Sequence, residues 1–307
     1  MTRIVLINTP TLPCPDTHYL HVKKFLKGFV QNGFPLIEVN NKREIDALTH
    51  DDIVYISNHG FEPWAGVSRE DLPIQNALKQ MELLEKKCHY AILWHFHQAL
   101  FRFFYEPQFK NVILTGHWRG SWADEEYFDF SFTPYSQLEN FVPMRFATDL
   151  HPSEIEDPLD KVYDACFIGT PYKIPWIQEI AGRHNVYAHF GKPWLPEADR
   201  LRVLRTSTIG LGFGADQNVK EGVMTERVIE SIAHGCVVIS DCATAPERTG
   251  GAAIYVESKQ HALEEVKRIL HSPEFAREKM HLGLEFVRNE GTYFHLAKDM
   301  LDALNIT

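Results

Sequence analysis

The 307-residue chain is 44% hydrophobic and 23% charged, the balance of a folded globular protein. Its formal net charge of −10 opposes a phosphate-backbone partner, whose binding rests on basic surface. No apolar run approaches the ~20 residues of a membrane span, and the length suggests two domains of about 150 residues each.

Chain order begins with "RIVLIN" (3–8), a short apolar run that reads as a buried strand rather than as a basic leader with a long apolar core. The helical "HYLHVKKFLKGFVQNG" (18–33) follows, with Gly33 as its stop. Strand signals recur at 35–40, 52–57, 89–96, 111–116 and 128–134, with a helical stretch over 73–87. Strands separated by helices define βαβ units and parallel sheets. Residues 145–161 are acidic, hold two prolines and lack a sustained period, which reads as an interdomain linker. The boundary expected is therefore 1–150 and 151–307.

A second series of strand signals runs through 164–169, 185–191, 206–214, 236–240 and 252–256. After 258 the chain reads as helices over 259–271, 272–290 and 293–304. Ser272-Pro273 is the N-cap and first helical residue, and Glu264 with Arg268 is an i,i+4 pair. Cys14, Cys88, Cys166, Cys236 and Cys242 contain no CxxC pair and an odd count, which suits small core residues in a reduced cytoplasm.

The most informative stretch is "TERVIESIAHGCVVISD" (225–241). Thr225 reads as an N-cap, Val228, Ile229, Ile232 and Ala233 as the buried stripe, and Gly235 as the stop before a core strand. The helix N-terminus then lies at the carboxyl edge of the sheet, where free N–H groups and the helix dipole favour an anion. Arg227 and Lys220 add positive charge there, Glu226 begins the row, and Glu230 can accept two ribose hydroxyls. His234 reads as a cation suited to the last turn. Charged i,i+4 rows also occur on solvated helix faces, so spacing alone leaves both readings open.

"IESIAHGCVVIS" resembles the nucleotide-sugar segment of GT-B glycosyltransferases, with Glu230 as their ribose-binding Glu. "YDACFIGTPY" (163–172) is similar to the first strand and loop of their C-terminal domain. "STIGLGFG" (207–214) resembles the strand before their donor loop. "GTYFHLAKDML" (291–301) resembles the closing helix of the spore-maturation-protein-like (CgeB-like) branch. The resemblance implies two Rossmann-like α/β domains facing each other across a cleft, with C-terminal helices packing back. It implies a nucleoside diphosphate-sugar donor held by Gly169, Thr170, Lys220, Glu226, Arg227 and Glu230. It also implies a metal-independent transfer, because cations and a helix dipole meet the leaving diphosphate. One departure stands out: many retaining members carry a second Glu where this chain has Gly222, with Glu221 beside it, so the stereochemical outcome stays open.

The segment 210–222 reads as a flexible donor loop. "INTPTLPCPDTH" after the first strand holds no glycine, which argues against a dinucleotide oxidoreductase. Asp16, His59, His97 and His117 follow strand signals in the N-terminal half and are candidates for the base that deprotonates an acceptor. His95-x-His97 lacks a persuasive third ligand, so no metal site is expected. Trp64, Trp118 and Trp122 are candidates to line an acceptor site. The expected acceptor is a glycan, lipid or small molecule, with nucleic acid disfavoured by charge. A nucleotide-sugar epimerase or hydrolase, and a non-catalytic nucleotide-sugar-binding module, are the alternatives.

Overall fold

The structure is a computed structural model that describes residues 2–7, 16–39, 42–57, 90–95, 112–116, 141–143, 146–191, 193–220, 222 and 224–306. It divides into two compact units, Met1–Arg145 with Leu296–Thr307, and Phe146–His295.

The first unit contains β1 (Arg3–Ile7), α1 (Asp16–Gln31), β2 (Leu36–Val39), α2 (Lys42–Asp46), β3 (Asp52–Ser57), β4 (Tyr90–His95), β5 (Val112–Gly116) and β6 (Phe141–Pro143). These six strands form one parallel sheet in the order β2-β1-β3-β4-β5-β6. Ile4, Val5, Leu6 and Ile53 are buried in it, and Phe25, Leu26 and Phe29 of α1 are fully buried. Arg3 anchors the start of β1 by donating from Nε and Nη2 to the two carboxylate oxygens of buried Asp52, at 2.7 and 2.8 Å. The expected helix over 73–87 and strand over 128–134 lie outside the described residues.

The second unit contains β7 (Tyr163–Gly169), α3 (Ile174–Ala181), β8 (Val186–Phe190), α4 (Glu197–Arg205), β9 (Ser207–Leu211), α5 (Asp216–Lys220), α6 (Glu226–Ala233), β10 (Val237–Ser240), α7 (Ala245–Arg248), β11 (Ile254–Tyr255), α8 (Lys259–His271) and α9 (Pro273–Asn289). The last helix, α10 (Tyr293–Ala303), starts in this unit. Its five strands are parallel in the order β11-β10-β9-β7-β8. The strands bury both faces, as their unbroken apolar runs require. Cys166 and Val238 face Val203, Val228, Ile232 and Leu284 on one side. Phe167, Ile209 and Ile239 face Ile177, Ile180, Val266 and Ile269 on the other.

In both sheets the second strand lies on one side of the first, and the third lies on the other. The chain therefore changes direction between β1 and β3, and again between β7 and β9. Open α/β sheets bind ligands at the carboxyl ends of the strands at such a switch point.

Several local expectations are corrected. At the start of the segment read as a linker, Ala147 and Thr148 are fully buried, and Thr148 bridges to Thr292. The segment read as a flexible loop contains α5, and its first glycine serves packing. A Cβ on Gly210 would stand 2.6 Å from Cβ of Ser231, so glycine is what lets α6 lie close on β9. Arg268 pairs with Glu265 at 2.7 Å, while Glu264 takes the amide of Gln260 instead. Cys166, Cys236 and Cys242 are buried and free, as small core residues.

Candidate functional site

The strongest polar arrangement in the second unit sits at the switch point between β7 and β9. Helix α6 begins after Thr225, whose backbone is extended as an N-cap requires. Arg227 lies in its first turn. Its guanidinium donates from Nε to the carbonyl of Ile168 at 2.8 Å and from Nη1 to the carbonyl of Phe213. Those carbonyls belong to the end of β7 and to the residues just past β9, so one side chain ties the two strand ends together. The group also lies over the ring of Phe167, 4.2 Å from its centroid. Burial pushes its pKa down to about 10, which leaves it cationic at neutral pH. Nη2 makes no hydrogen bond to a described residue and faces Gly169, whose φ of +131° suits glycine.

A second cation reaches the same edge. Lys173 precedes α3 in a left-handed conformation, with φ of +54°. Its ammonium pairs with exposed Asp216 at the start of α5. The loop after β7 is thereby tied to the segment after β9. Asp241 directly follows β10, is buried, and accepts the N–H of Gly214 at 2.9 Å.

One turn along α6, Glu230 is 6% exposed. Its Oε2 meets Nη1 of Arg200, from the first half of α4, at 3.4 Å and Nε2 of His234 at 3.8 Å. Burial holds the His234 imidazole below its ordinary range, so it is neutral at pH 7 and not the helix-end cation expected from sequence. The Tyr293 phenol is fully buried, and its pKa is pushed well up, first by burial and then by the charges of Glu226 and Glu230. The backbone N–H of Tyr293 donates to the carbonyl of Thr148 at 2.9 Å, which fixes the start of α10 in this unit.

The structure brings Gly169 and Arg227 into contact and sets Glu226 and Glu230 on the same helix. Thr170 follows β7 and is exposed, and Lys220 is exposed at the end of α5. Asp16 is the first residue of α1. His59, His97, His117, Trp64, Trp118 and Trp122 lie outside the described residues. Lys173, Arg200, Asp241 and Tyr293 were missed. A lysine just past the Phe-x-Gly strand end and a carboxylate closing an apolar strand were legible signals for Lys173 and Asp241. Arg200 carries no such mark, because its partner is 30 residues away.

Among the described residues no group of three or more His, Cys, Asp and Glu side chains could hold a metal ion. A shallow groove lined by Leu159, Lys161, Arg277 and Met280 lies elsewhere. Lys161 there donates to the carbonyls of Arg205 and Gly235, at the carboxyl ends of α4 and α6, so the groove belongs to the other edge of the sheet.

Residues 160–302 match a family described as glycosyl transferase-like. Among solved structures, an α-glucosyltransferase in complex with UDP and a 13-mer DNA superposes with a TM-score of 0.60, at 10% identity over 99% of both chains. Sucrose-phosphate synthase from Thermosynechococcus elongatus gives 0.55, at 12% identity over 99% of this chain and 98% of its own. T4 phage BGT in complex with UDP and Mn2+ gives 0.51, at 13% identity over 99% of both chains. No curated protein sequence matches. At these identities the structural likeness concerns the fold, which is the α/β fold of the GT-B glycosyltransferases. The matched segment, 160–302, includes the arginine-bridged switch point.

Proposed function

We propose that the protein is a glycosyltransferase that moves a sugar from a nucleoside diphosphate-sugar to an acceptor hydroxyl. The observation that carries this reading is Arg227. A guanidinium held across the switch point, beside a glycine with positive φ and a helix N-terminus, is an arrangement for an anion of diphosphate size. Lys173 is the second cation, and the exchange of Asp216 for phosphate is its proposed step on donor binding. Gly169 and Thr170 let the donor approach the backbone, and Lys220 is a further phosphate cation. Glu226 and Glu230 supply carboxylates for the ribose hydroxyls.

Bond cleavage leaves negative charge on the diphosphate. Fixed cations and N–H groups aimed at that charge stabilise the transition state without reorganising. On this reading Arg227 and Lys173 carry the charge without a divalent ion. The proton of the acceptor hydroxyl goes to one of Asp16, His59, His97 or His117 in the first unit. The acceptor is a glycan, lipid or small molecule, in keeping with the net charge of −10. The closing "GTYFHL" segment supports placing the chain in the CgeB-like branch. UDP is the proposed nucleotide, because two glucosyltransferases of this fold are described in complex with it.

A thermal-shift series with UDP, GDP, CDP, ADP and dTDP tests the reading. UDP at 100 times its Kd adds about 2.7 kcal/mol of stability. A larger shift with another nucleotide corrects the base, and no shift with any of the five overturns the reading. Incubation with a UDP-sugar alone separates the classes. Slow release of free sugar accompanies a transferase, whereas an epimerised sugar identifies an epimerase.

A further inference from the structure

Of the carboxylates at the carboxyl edge of the second sheet, Asp241 is only 4% exposed. Its Oδ1 accepts the Gly214 N–H, but its Oδ2 is buried without a hydrogen-bond partner among the described residues. Buried polar atoms in folded proteins are almost always paired, because desolvation without a partner is costly. The charges of Lys173 and Arg227 act on Asp241, but Lys173 is engaged by Asp216 and Arg227 donates to the carbonyls of Ile168 and Phe213. A second buried oxygen without a partner among the described residues, Oγ1 of Thr225, belongs to the same neighbourhood. A Cβ on Gly214 would stand 3.3 Å from Cγ2 of Thr225 and 3.9 Å from Oδ1 of Asp241. Two side-chain oxygens, at the head of α6 and the end of β10, are thus without partners among the described residues.

The segment past β9 and the loop past β10 are also joined here. Thr244 donates from Oγ1 to the carbonyl of Gly222 at 2.8 Å. A Cβ at 222 would stand 3.0 Å from Cγ2 of Thr244, and the φ of +67° there disfavours any side chain. Position 222 therefore offers no functional group, whereas the end of β10 offers the buried carboxylate of Asp241. Burial raises the pKa of Asp241, and the Gly214 N–H and the charge of Lys173 oppose that shift.

The geometry points to Asp241 as the residue that binds a hydroxyl of the transferred sugar. A carboxylate oxygen that lacks a hydrogen-bond donor takes a hydroxyl, which brings a proton, and not a phosphate oxygen, which brings none; this places the sugar at Asp241 and leaves the diphosphate to Arg227. Thr225 supplies the second hydrogen bond. The assignment rests on the nucleotide-sugar reading of the site.

The test compares Asp241→Asn with the wild type by calorimetry, using UDP, UDP-glucose, UDP-galactose and UDP-N-acetylglucosamine. Asn keeps an oxygen for the Gly214 N–H and removes the free carboxylate oxygen. UDP affinity is expected to stay unchanged, while the best-bound conjugate weakens about tenfold or more, the value of a hydrogen bond to a charged group. Equal loss for UDP and its conjugates, or no loss at all, overturns the role of Asp241 and leaves the nucleotide reading standing. Failure of the wild type to bind UDP and all three conjugates overturns the UDP-sugar reading and this assignment with it. Should Asp241→Asn not melt cooperatively, Asp241→Ser serves for the same comparison.

Discussion

A Cβ at position 169 would stand 2.7 Å from Nη2 of Arg227, so the glycine and the guanidinium share one space at the end of β7. Gly169→Ala must shift the Arg227 guanidinium, which the Ile168 and Phe213 carbonyls hold, and also keep alanine at a φ of +131°. Strained backbone of this kind costs about 1–3 kcal/mol. The variant is expected to melt lower by that amount and to lose UDP affinity in calorimetry. Unchanged UDP binding would separate Arg227 from the anion site.

Charge and shape at Arg227 can be separated. Arg227→Ala leaves two carbonyls without their donor and removes packing on Phe167, a loss of about 2–3 kcal/mol. Arg227→Lys restores the charge but not the planar fork. It is expected to recover part of the UDP affinity and little of the stability. Equal recovery of both would mean that the two-carbonyl bridge contributes nothing.

Glu230 is buried and Arg200 is a quarter exposed, at 7% and 25% of their side chains. Removing the arginine takes one charged partner from a buried carboxylate. Arg200→Ala is expected to cost about 1–3 kcal/mol, below the value for a fully buried pair. Glu230→Gln in the same chain should return most of that loss, read from a double-mutant cycle in urea. Glu230→Ala is expected to abolish UDP binding; unchanged binding would remove Glu230 from the ribose site.

His234 gives the protein a pH dependence of known sign. Its pKa is lowered in the folded state, so the unfolded chain binds the proton more readily. The stability it contributes is full above its ordinary value of 6.5 and is lost as pH falls through the folded pKa. His234→Gln should flatten the fall in urea stability below pH 6.5 relative to wild type. An identical slope in the two proteins would place the titration elsewhere.

Arg227 and Lys173 are proposed to meet the diphosphate charge without a divalent ion. UDP affinity should therefore survive treatment with EDTA, and added Mn2+ should not raise it. A tenfold or greater loss on chelation, about 1.4 kcal/mol, would show that metal completes the site.

Composition and periodicity made the two α/β series, the buried strands and the 225–241 helix-to-strand unit legible, because apolar spacing and Gly or Pro stops act over a few residues. They also marked Glu230 and Arg227 as functional candidates on one helix. What each does was decided by contacts far apart in sequence. Arg227 bridges Ile168 and Phe213 because the chain crosses from β8 past β7 before laying down β9, which brings those two strand ends together. His234 looked like a helix-end cation, yet α6 is packed on its side as well as beneath, so the imidazole is buried and neutral. Asp241 follows an apolar strand in the sequence, and only the fold shows that one of its carboxylate oxygens is buried without a donor among the described residues. Local pattern fixes which residues line an edge, because helix and strand geometry repeat over short distances. Which of them keep a free hydrogen-bonding atom depends on strand order, which pairs residues across the whole unit.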